Sequence, residues 1–162
     1  MTTTSESVVV NKRKFLDRVG CRAFLNADQA NISSTTWVKV ALNDNTYDLG
    51  LNFASNKFTV PVTGLYQIIG QVSFTNSVQV DKRYSVAIYK EGALITQKDA
   101  QASVADTLSV NINDILYLKK DEYVELYTYT TGIGDTVDID GDTGGSLTFL
   151  VVRLISKEGI KQ

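Results

Sequence analysis

The chain contains no histidine, and it has one cysteine and one proline among its 162 residues. Without histidine, Ser-His-Asp and Cys-His catalysis, the usual zinc ligands and the commonest general base at neutral pH are excluded. The lone Cys21 excludes an intrachain disulfide, and we expect a buried, inert thiol. Adjacent carboxylates such as Asp121 and Glu122 point to opposite faces of a strand and cannot flank one substrate bond. We therefore predict that the protein is not an enzyme.

Charge and hydrophobic runs exclude two further classes of partner. The net charge is −2, whereas nucleic-acid binding calls for a basic stripe. No apolar run approaches the ~18 residues of a membrane span, so we expect no membrane insertion. No signal peptide is visible, because the basic residues 12–14 follow the short apolar run 8–10 instead of preceding it. We expect a virion-surface or extracellular protein that leaves the cell by another route, or a trimmed piece of a longer chain.

The chain length suits a single domain with its own core. We expect residues 1–17 to form a polar leader, disordered or serving as an anchor, and residues 158–162 to form a short tail. Between them, residues 18–157 alternate between short apolar runs and turns rich in Asn, Asp and Gly. The predicted strands span 20–26, 36–43, 46–50, 57–60, 64–75, 83–90, 93–100, 105–118, 122–131 and 145–155. Glu91 and Gly92 predict a tight hairpin between residues 83–90 and 93–100. Ten short strands without helical periodicity predict an antiparallel β-sandwich.

The only proline, Pro61, stands between a short strand and a long strand of period-two apolar residues. The surrounding sequence at 58–66, FTVPVTGLY, resembles the core motif of the globular head of complement's first component, whose fold is shared with the tumour necrosis factor ligands. The continuation to Phe74 is similar to the ligand branch. The segments 21–24 and 145–150 resemble the first and last strands of such heads. The resemblance implies a ten-stranded jelly roll that assembles as a homotrimer and binds ligands.

One departure from the family pattern lies in the segment 116–126, which resembles a conserved hairpin but carries Asp121 and Glu122 where Gly-Asp is usual. The tight turn of that hairpin is therefore less firmly predicted than the others.

Several predicted strands are apolar on both faces, the last strand most clearly. A sandwich strand exposed to water should be apolar on one face only. Either loops cover the second face or another copy of the chain packs on it. The resembling family forms trimers through these strands, which favours a homotrimer. The interface residues implied by that resemblance are Gln67, Ile69, Gln71, Ile115, Tyr117, Leu150 and Val152.

The segment 134–142 carries four aspartates, Asp135, Asp138, Asp140 and Asp142. Calcium binds six to eight oxygens in flexible geometry, and such a loop can supply several of them. The competing interpretation is a solvated hairpin in which aspartate serves as a turn former. No cofactor is required by any motif, so calcium is the one ion predicted.

Tyrosines provide the other candidate binding surface. Tyr123, Tyr127 and Tyr129 share one face of a predicted strand and could stack on sugars or meet a protein, or could pack inward. We expect Trp37 in the core. The loops at 27–35, 76–82 and 132–144 are the other candidates for ligand contact.

Together these features predict a non-enzymatic trimeric binding module displayed on a surface. We expect a phage or virus particle head (a fibre, spike or decoration) that recognises a host-surface protein or glycan. The alternatives are a purely structural capsid or fibre-cap protein and a secreted, cytokine-like receptor ligand.

Overall fold

The computed structural model describes residues 18–75, 78–131 and 137–157, and this part of the chain forms strands and turns without a helix. The strands are β1 (Gly20–Phe24), β2 (Gln29–Ile32), β3 (Val38–Lys39), β4 (Asp44–Leu49), β5 (Phe53–Ala54), β6 (Lys57–Thr59), β7 (Gly64–Thr75), β8 (Arg83–Lys90), β9 (Ala93–Gln101), β10 (Leu108–Leu118), β11 (Tyr123–Thr130), β12 (Val137–Ile139) and β13 (Phe149–Lys157). Each of the predicted strands overlaps an observed one. The additional strands β2, β5 and β12 are too short to show a period-two pattern.

Two antiparallel sheets pack face to face. The front sheet has the order β2-β12-β7-β13-β1-β4. In addition, β10 pairs with β7 along the edge of β7 that β13 does not occupy. The back sheet has the order β5-β6-β11-β8-β9, and β3 also pairs with β11. This arrangement confirms the predicted jelly-roll sandwich. Within the described ranges no helix is long and apolar enough to cross a membrane.

The core lies between the two sheets and follows the period-two pattern of β7. Tyr66, Ile68, Val72 and Phe74 are all fully buried. The ring of Phe74 packs against Tyr84 of the back sheet, with 5.0 Å between centroids. The core tyrosines keep hydrogen bonds, because buried hydroxyls without partners are costly. Thus the Tyr66 hydroxyl donates to the Val62 carbonyl at 2.6 Å, while burial raises its pKa to about 12.

Cys21 lies in the same core and is fully buried. Burial, together with the nearby negative charge of Asp48, raises the pKa of its thiol to about 12. Because the thiolate is the reactive form of cysteine, this thiol is inert at neutral pH. The prediction of a buried, inert Cys21 is confirmed.

The turns between long strands use residues that tolerate a left-handed backbone. Glu91 and Gly92 both have positive φ, 51° and 75°, and form the predicted tight hairpin between β8 and β9. Asp121 has φ 73° in the turn between β10 and β11, and its N–H donates to the Val60 carbonyl at 2.8 Å. Aspartate tolerates this conformation better than most residues. The turn therefore forms although glycine is missing.

The placement of Leu150 and Val152 at an outer interface is wrong. Both side chains are fully buried in the core of the single chain. The register pairs Val151 with Ile69 and Phe149 with Gln71, and directly opposed residues in a sheet share a face. The outward face of β13 therefore carries Phe149 and Val151. Since both faces of this strand are apolar, hydrophobicity could not show which one points inward.

We expect Gly64→Ala to destabilise the protein, because β13 crosses Gly64 very closely. A Cβ at Gly64 would lie 2.2 Å from the backbone oxygen of Ser156, so the strand itself would have to move. Overpacking of this kind costs about 1–3 kcal/mol of the free energy of unfolding, which chemical denaturation would measure.

The matched control is Gly92→Asn in the β8–β9 hairpin. There a Cβ would meet nothing closer than the Tyr123 hydroxyl at 4.0 Å, and asparagine tolerates the left-handed backbone. This variant should change stability by no more than about 0.5 kcal/mol. Equal losses in the two variants would contradict the close-approach explanation.

Candidate functional site

Three adjacent strands of the front sheet, β10, β7 and β13, present apolar side chains to the outside. We call Leu65, Ile69, Ile115, Tyr117 and Val151 the front outer patch. Leu65 lies opposite Tyr117, and Ile69 lies opposite Val151. Leu65, Ile115 and Tyr117 are exposed by 42%, 56% and 45%. Contiguous exposed apolar side chains of this kind mark an interaction surface.

Polar side chains border the front outer patch. Gln67 lies on the same face, between Ile115 on one neighbouring strand and Arg153 on the other. Gln71 is also on this face, but its amide donates to the carbonyls of Ser146 and Leu147, at 3.2 and 2.7 Å. The structure thus gathers most of the predicted interface residues on one surface: Gln67, Ile69, Gln71, Ile115 and Tyr117. That they contact a neighbouring subunit stays a prediction.

One margin of this surface is closed by Arg22 of β1. Its guanidinium lies 4.6 Å from the centroid of the Phe149 ring and donates to the Gly145 carbonyl at 2.6 Å. A cation over an aromatic face is attracted by the ring quadrupole. Phe149 is therefore covered within its own chain, and the patch is most open around Leu65 and Ile115.

The opposite surface of the sandwich carries a second cluster, on the outer face of the back sheet. We call Trp37, Tyr89, Tyr123, Tyr127 and Tyr129 the aromatic patch, and all of its members are half-buried. Ring centroids lie 5.3 Å apart for Trp37 and Tyr129, 6.0 Å for Trp37 and Tyr89, and 4.0 Å for the stacked pair Tyr89 and Tyr127. The three predicted tyrosines are thus joined by two aromatic residues from other segments.

Cations cover the two ends of the aromatic patch. The Lys57 ammonium lies 4.2 Å from the ring centroid of Tyr123, and the Arg83 guanidinium lies 5.3 Å from that of Tyr129. The rings between them remain available at the surface. An apolar area with hydroxyl tips and a cationic border is typical of binding surfaces rich in tyrosine.

A partly buried ion pair lies beside this patch. Glu125 lies on the same strand as the tyrosines and is only 6% exposed, and its Oε1 is 2.6 Å from the Nζ of Lys39. Lys39 also donates to the Ser55 carbonyl at 3.0 Å. Burial first, and then the charge of Glu125, raises the pKa of the Tyr127 phenol. The phenol therefore stays protonated and can act as a hydrogen-bond donor at neutral pH.

Trp37 was expected in the core and instead lies on the surface. It precedes the short strand β3, and its ring packs on Tyr89 and Tyr129. The sequence signal was ambiguous, because Trp37 stands next to valines that do pack inward or beside the core. Tyr89 was not predicted, although it alternates with Val86 and Ile88, which enter the core, and this alternation could have indicated an outward face.

The aspartate segment is used for local structure. Asp142 accepts hydrogen bonds from the backbone N–H groups of Gly144, Ser146 and Leu147 at 2.7–3.2 Å. Burial favours a higher pKa for this carboxyl, but these hydrogen bonds outweigh it and lower the pKa. Asp138 accepts the N–H of Asn31 at 2.9 Å.

Asp140 is the unusual member of the segment because it is only 3% exposed. Its Oδ1 accepts the hydroxyl of Thr75, and its Oδ2 has no hydrogen-bond partner among the described residues. Burial raises the pKa of this carboxyl, and the charges of Asp28 and Asp138 raise it further.

Asp135 lies outside the described residues. In the ranges that the structure describes, no three His, Cys, Asp or Glu side chains are grouped so as to hold a metal ion. Asp138, Asp140 and Asp142 are therefore not gathered into a calcium site among the described residues, and calcium stays a prediction without structural support.

Comparison with known proteins identifies the fold. The structure superposes on the globular domain of zebrafish complement 1qA protein with a TM-score of 0.63 and 15% identity, covering 87% of this chain and 100% of that chain. It superposes on the Eiger TNF from S. frugiperda with a TM-score of 0.65 and 13% identity, covering 89% and 96%. It superposes on murine APRIL with a TM-score of 0.61 and 13% identity, covering 82% of this chain and 95% of that chain. No family model and no curated protein sequence matches.

At these identities the comparison establishes a shared jelly-roll fold, and it agrees with the resemblance carried by residues 58–66. The described strands reproduce the complete domain, because nearly the whole length of each compared chain is covered.

We predict that Asp140→Asn will alter how stability depends on pH. A carboxyl whose pKa is raised by folding stabilises the native state below its unfolded pKa, about 3.9, and that contribution is lost as pH rises through the native pKa. The asparagine keeps an acceptor for Thr75 but carries no charge. The free energy of unfolding of the Asp140→Asn variant, relative to that of the parent, should therefore increase as pH rises from acid toward neutral.

Urea denaturation at a series of pH values would measure this difference. Asp106→Asn, at an exposed aspartate on the loop before β10, provides the control. A difference between Asp140→Asn and the parent that does not change with pH would contradict the assignment.

Proposed function

We propose that this chain is a non-enzymatic binding module that acts as a homotrimer outside the cell. The observation that carries the proposal is the front outer patch, an exposed apolar surface across three central strands of one sheet. A sheet face of this kind is stable in water when it is covered by a copy of the same chain. The fold that this chain shares with the complement 1qA globular domain and the Eiger TNF supports the proposal of a trimeric binding module.

A trimer built on the front sheet directs the back sheet outward. The aromatic patch would then face solvent on each of the subunits, where it is free to contact a ligand. Repetition around the axis would raise the overall affinity of individually weak sites. We therefore propose the aromatic patch, including the predicted Tyr123, Tyr127 and Tyr129, as the ligand-binding surface.

The ligand we propose is a host-surface glycan or protein, and the setting is a phage or virus particle. Partly exposed tyrosine and tryptophan rings support ligand contact by stacking, and the hydroxyl tips supply hydrogen bonds. A secreted, cytokine-like receptor ligand is the second candidate, and the fold shared with the Eiger TNF favours it equally. A receptor that binds between subunits would contact the margins of the front sheet instead of the aromatic patch.

We predict that Ile115→Asp will dissociate the assembly. Ile115 is 56% exposed in the single chain, so the charge should disturb the fold of the monomer little while placing a carboxylate in the buried interface. Light scattering should give the mass of a trimer for the parent and a lower mass for the variant.

The matched control is Ile95→Asp, which introduces the same change at an isoleucine of β9 that is 41% exposed on the back sheet. It should remain trimeric. A monomeric parent at all concentrations would reject the interface, and so would equal behaviour of the two variants.

We further predict that Tyr127→Ala will weaken ligand binding about tenfold or more, because central aromatic residues dominate the energy of such surfaces. Binding of the trimer to a glycan array and to intact host cells would measure the effect. Tyr47→Ala, at a tyrosine of β4 that is 37% exposed and outside the aromatic patch, serves as the control. If the parent trimer bound neither the glycan array nor the cells, the purely structural role would be favoured.

A further inference from the structure

A pocket opens at the end of the sandwich where β1 begins and β13 ends. Its walls are formed by Val19, Leu49, Pro61 and Val62, with Arg18 and Lys157 among the lining residues, and its volume is about 480 Å³. Small-molecule sites in proteins commonly span about 300–1,000 Å³ and are mostly apolar with a few polar groups. We call this cavity the basal pocket. Both its size and its lining are those of a ligand site.

The charged residues of the basal pocket are all basic. Neither aspartate nor glutamate lines it, whereas Arg18 and Lys157 do. Arg18 forms no ion pair with a carboxylate of the described residues. Guanidinium groups bind carboxylates through paired N–H donors. An apolar cavity with an available guanidinium at its rim is complementary to an amphipathic anion.

The rim of the pocket is held in a fixed shape. Gly50 and Leu51 adopt positive φ, 101° and 54°, in the turn after β4. Both carboxylate oxygens of Asp48 fasten this turn, since they accept the N–H groups of Asn52 and Phe53 at 2.9 Å. A left-handed leucine is unfavourable and persists only where its surroundings hold it.

This turn keeps Leu51 89% exposed beside the opening. Because the hydrogen bonds to Asp48 order this turn within the chain itself, the rim adds little ordering cost to binding.

We infer that the basal pocket binds a small amphipathic carboxylate, such as a medium-chain fatty acid. The aliphatic tail lies against Val19, Leu49 and Val62, and the carboxylate pairs with the guanidinium of Arg18. The site is distinct from the aromatic patch and from the front outer patch, and it does not depend on the proposed function.

Three ligands of equal chain length test this inference on the full-length protein. Octanoate, octanamide and octylammonium share one tail and differ in the charge of the head group. In ¹H–¹⁵N spectra, octanoate should shift the amide signals of Val19, Leu49 and Val62 saturably. It should bind about tenfold more tightly than octanamide, and octylammonium should bind more weakly than either.

Replacement of Arg18 provides a second test of the inference. Arg18→Gln should reduce octanoate affinity to the level of octanamide, while octanamide binding stays unchanged. Lys98→Gln, at an exposed lysine of β9, is the control and should bind octanoate like the parent.

Equal affinity for the three head groups would overturn the inference, as would saturable shifts confined to residues outside the pocket. Absence of saturable binding would overturn it as well.

Discussion

The antiparallel pairing of β7 with β13 on one edge and with β10 on the other is the constraint on which the remaining structure depends. It opposes Ile69 to Val151 and Leu65 to Tyr117, so that one apolar set faces outward while Ile68, Leu150 and Val152 enter the core. A shift of one residue would exchange these sets, because side chains alternate across a strand. Gly64 permits the close crossing of β13 that maintains this register.

The pairing of β7 with β13 and β10 also decides which side chains the front sheet exposes. The front sheet buries one apolar face and exposes another, which is the surface proposed for a neighbouring subunit, whereas the back sheet exposes aromatic rings beside the Lys39–Glu125 ion pair. Because Glu125 is buried, loss of Lys39 would leave its charge without a partner beside Tyr127. The basal pocket lies at the sheet end, where the loops around Leu49 and Val62 meet. The surfaces proposed for assembly, for ligand contact and for small-molecule binding are therefore separate regions of one sandwich.

The aspartate segment illustrates the limits of reading chemistry from spacing. The alternation of Asp138, Asp140 and Asp142 suggested a shared ion, yet each carboxylate has a separate local role. Asp142 closes a turn, Asp138 binds a backbone amide, and Asp140 is buried against Thr75. Side-chain acceptors compete for backbone donors wherever a turn leaves them unpaired, and aspartate is favoured there for that reason. Spacing alone does not distinguish this role from metal ligation.

Strand periodicity, turn residues and the motif at 58–66 were sufficient to predict the jelly roll, the buried face of β7 and the hairpin at Glu91 and Gly92, because these depend on local alternation and backbone preference. The orientation of β13 could not be predicted, since its two faces are equally apolar and only its register with β7 distinguishes them. The aromatic patch and the basal pocket also required the folded chain. Trp37 packs on Tyr89 and Tyr129, and Arg18 and Val62 line one pocket, only when segments distant in sequence are brought together. Such arrangements leave no periodic signal in the sequence.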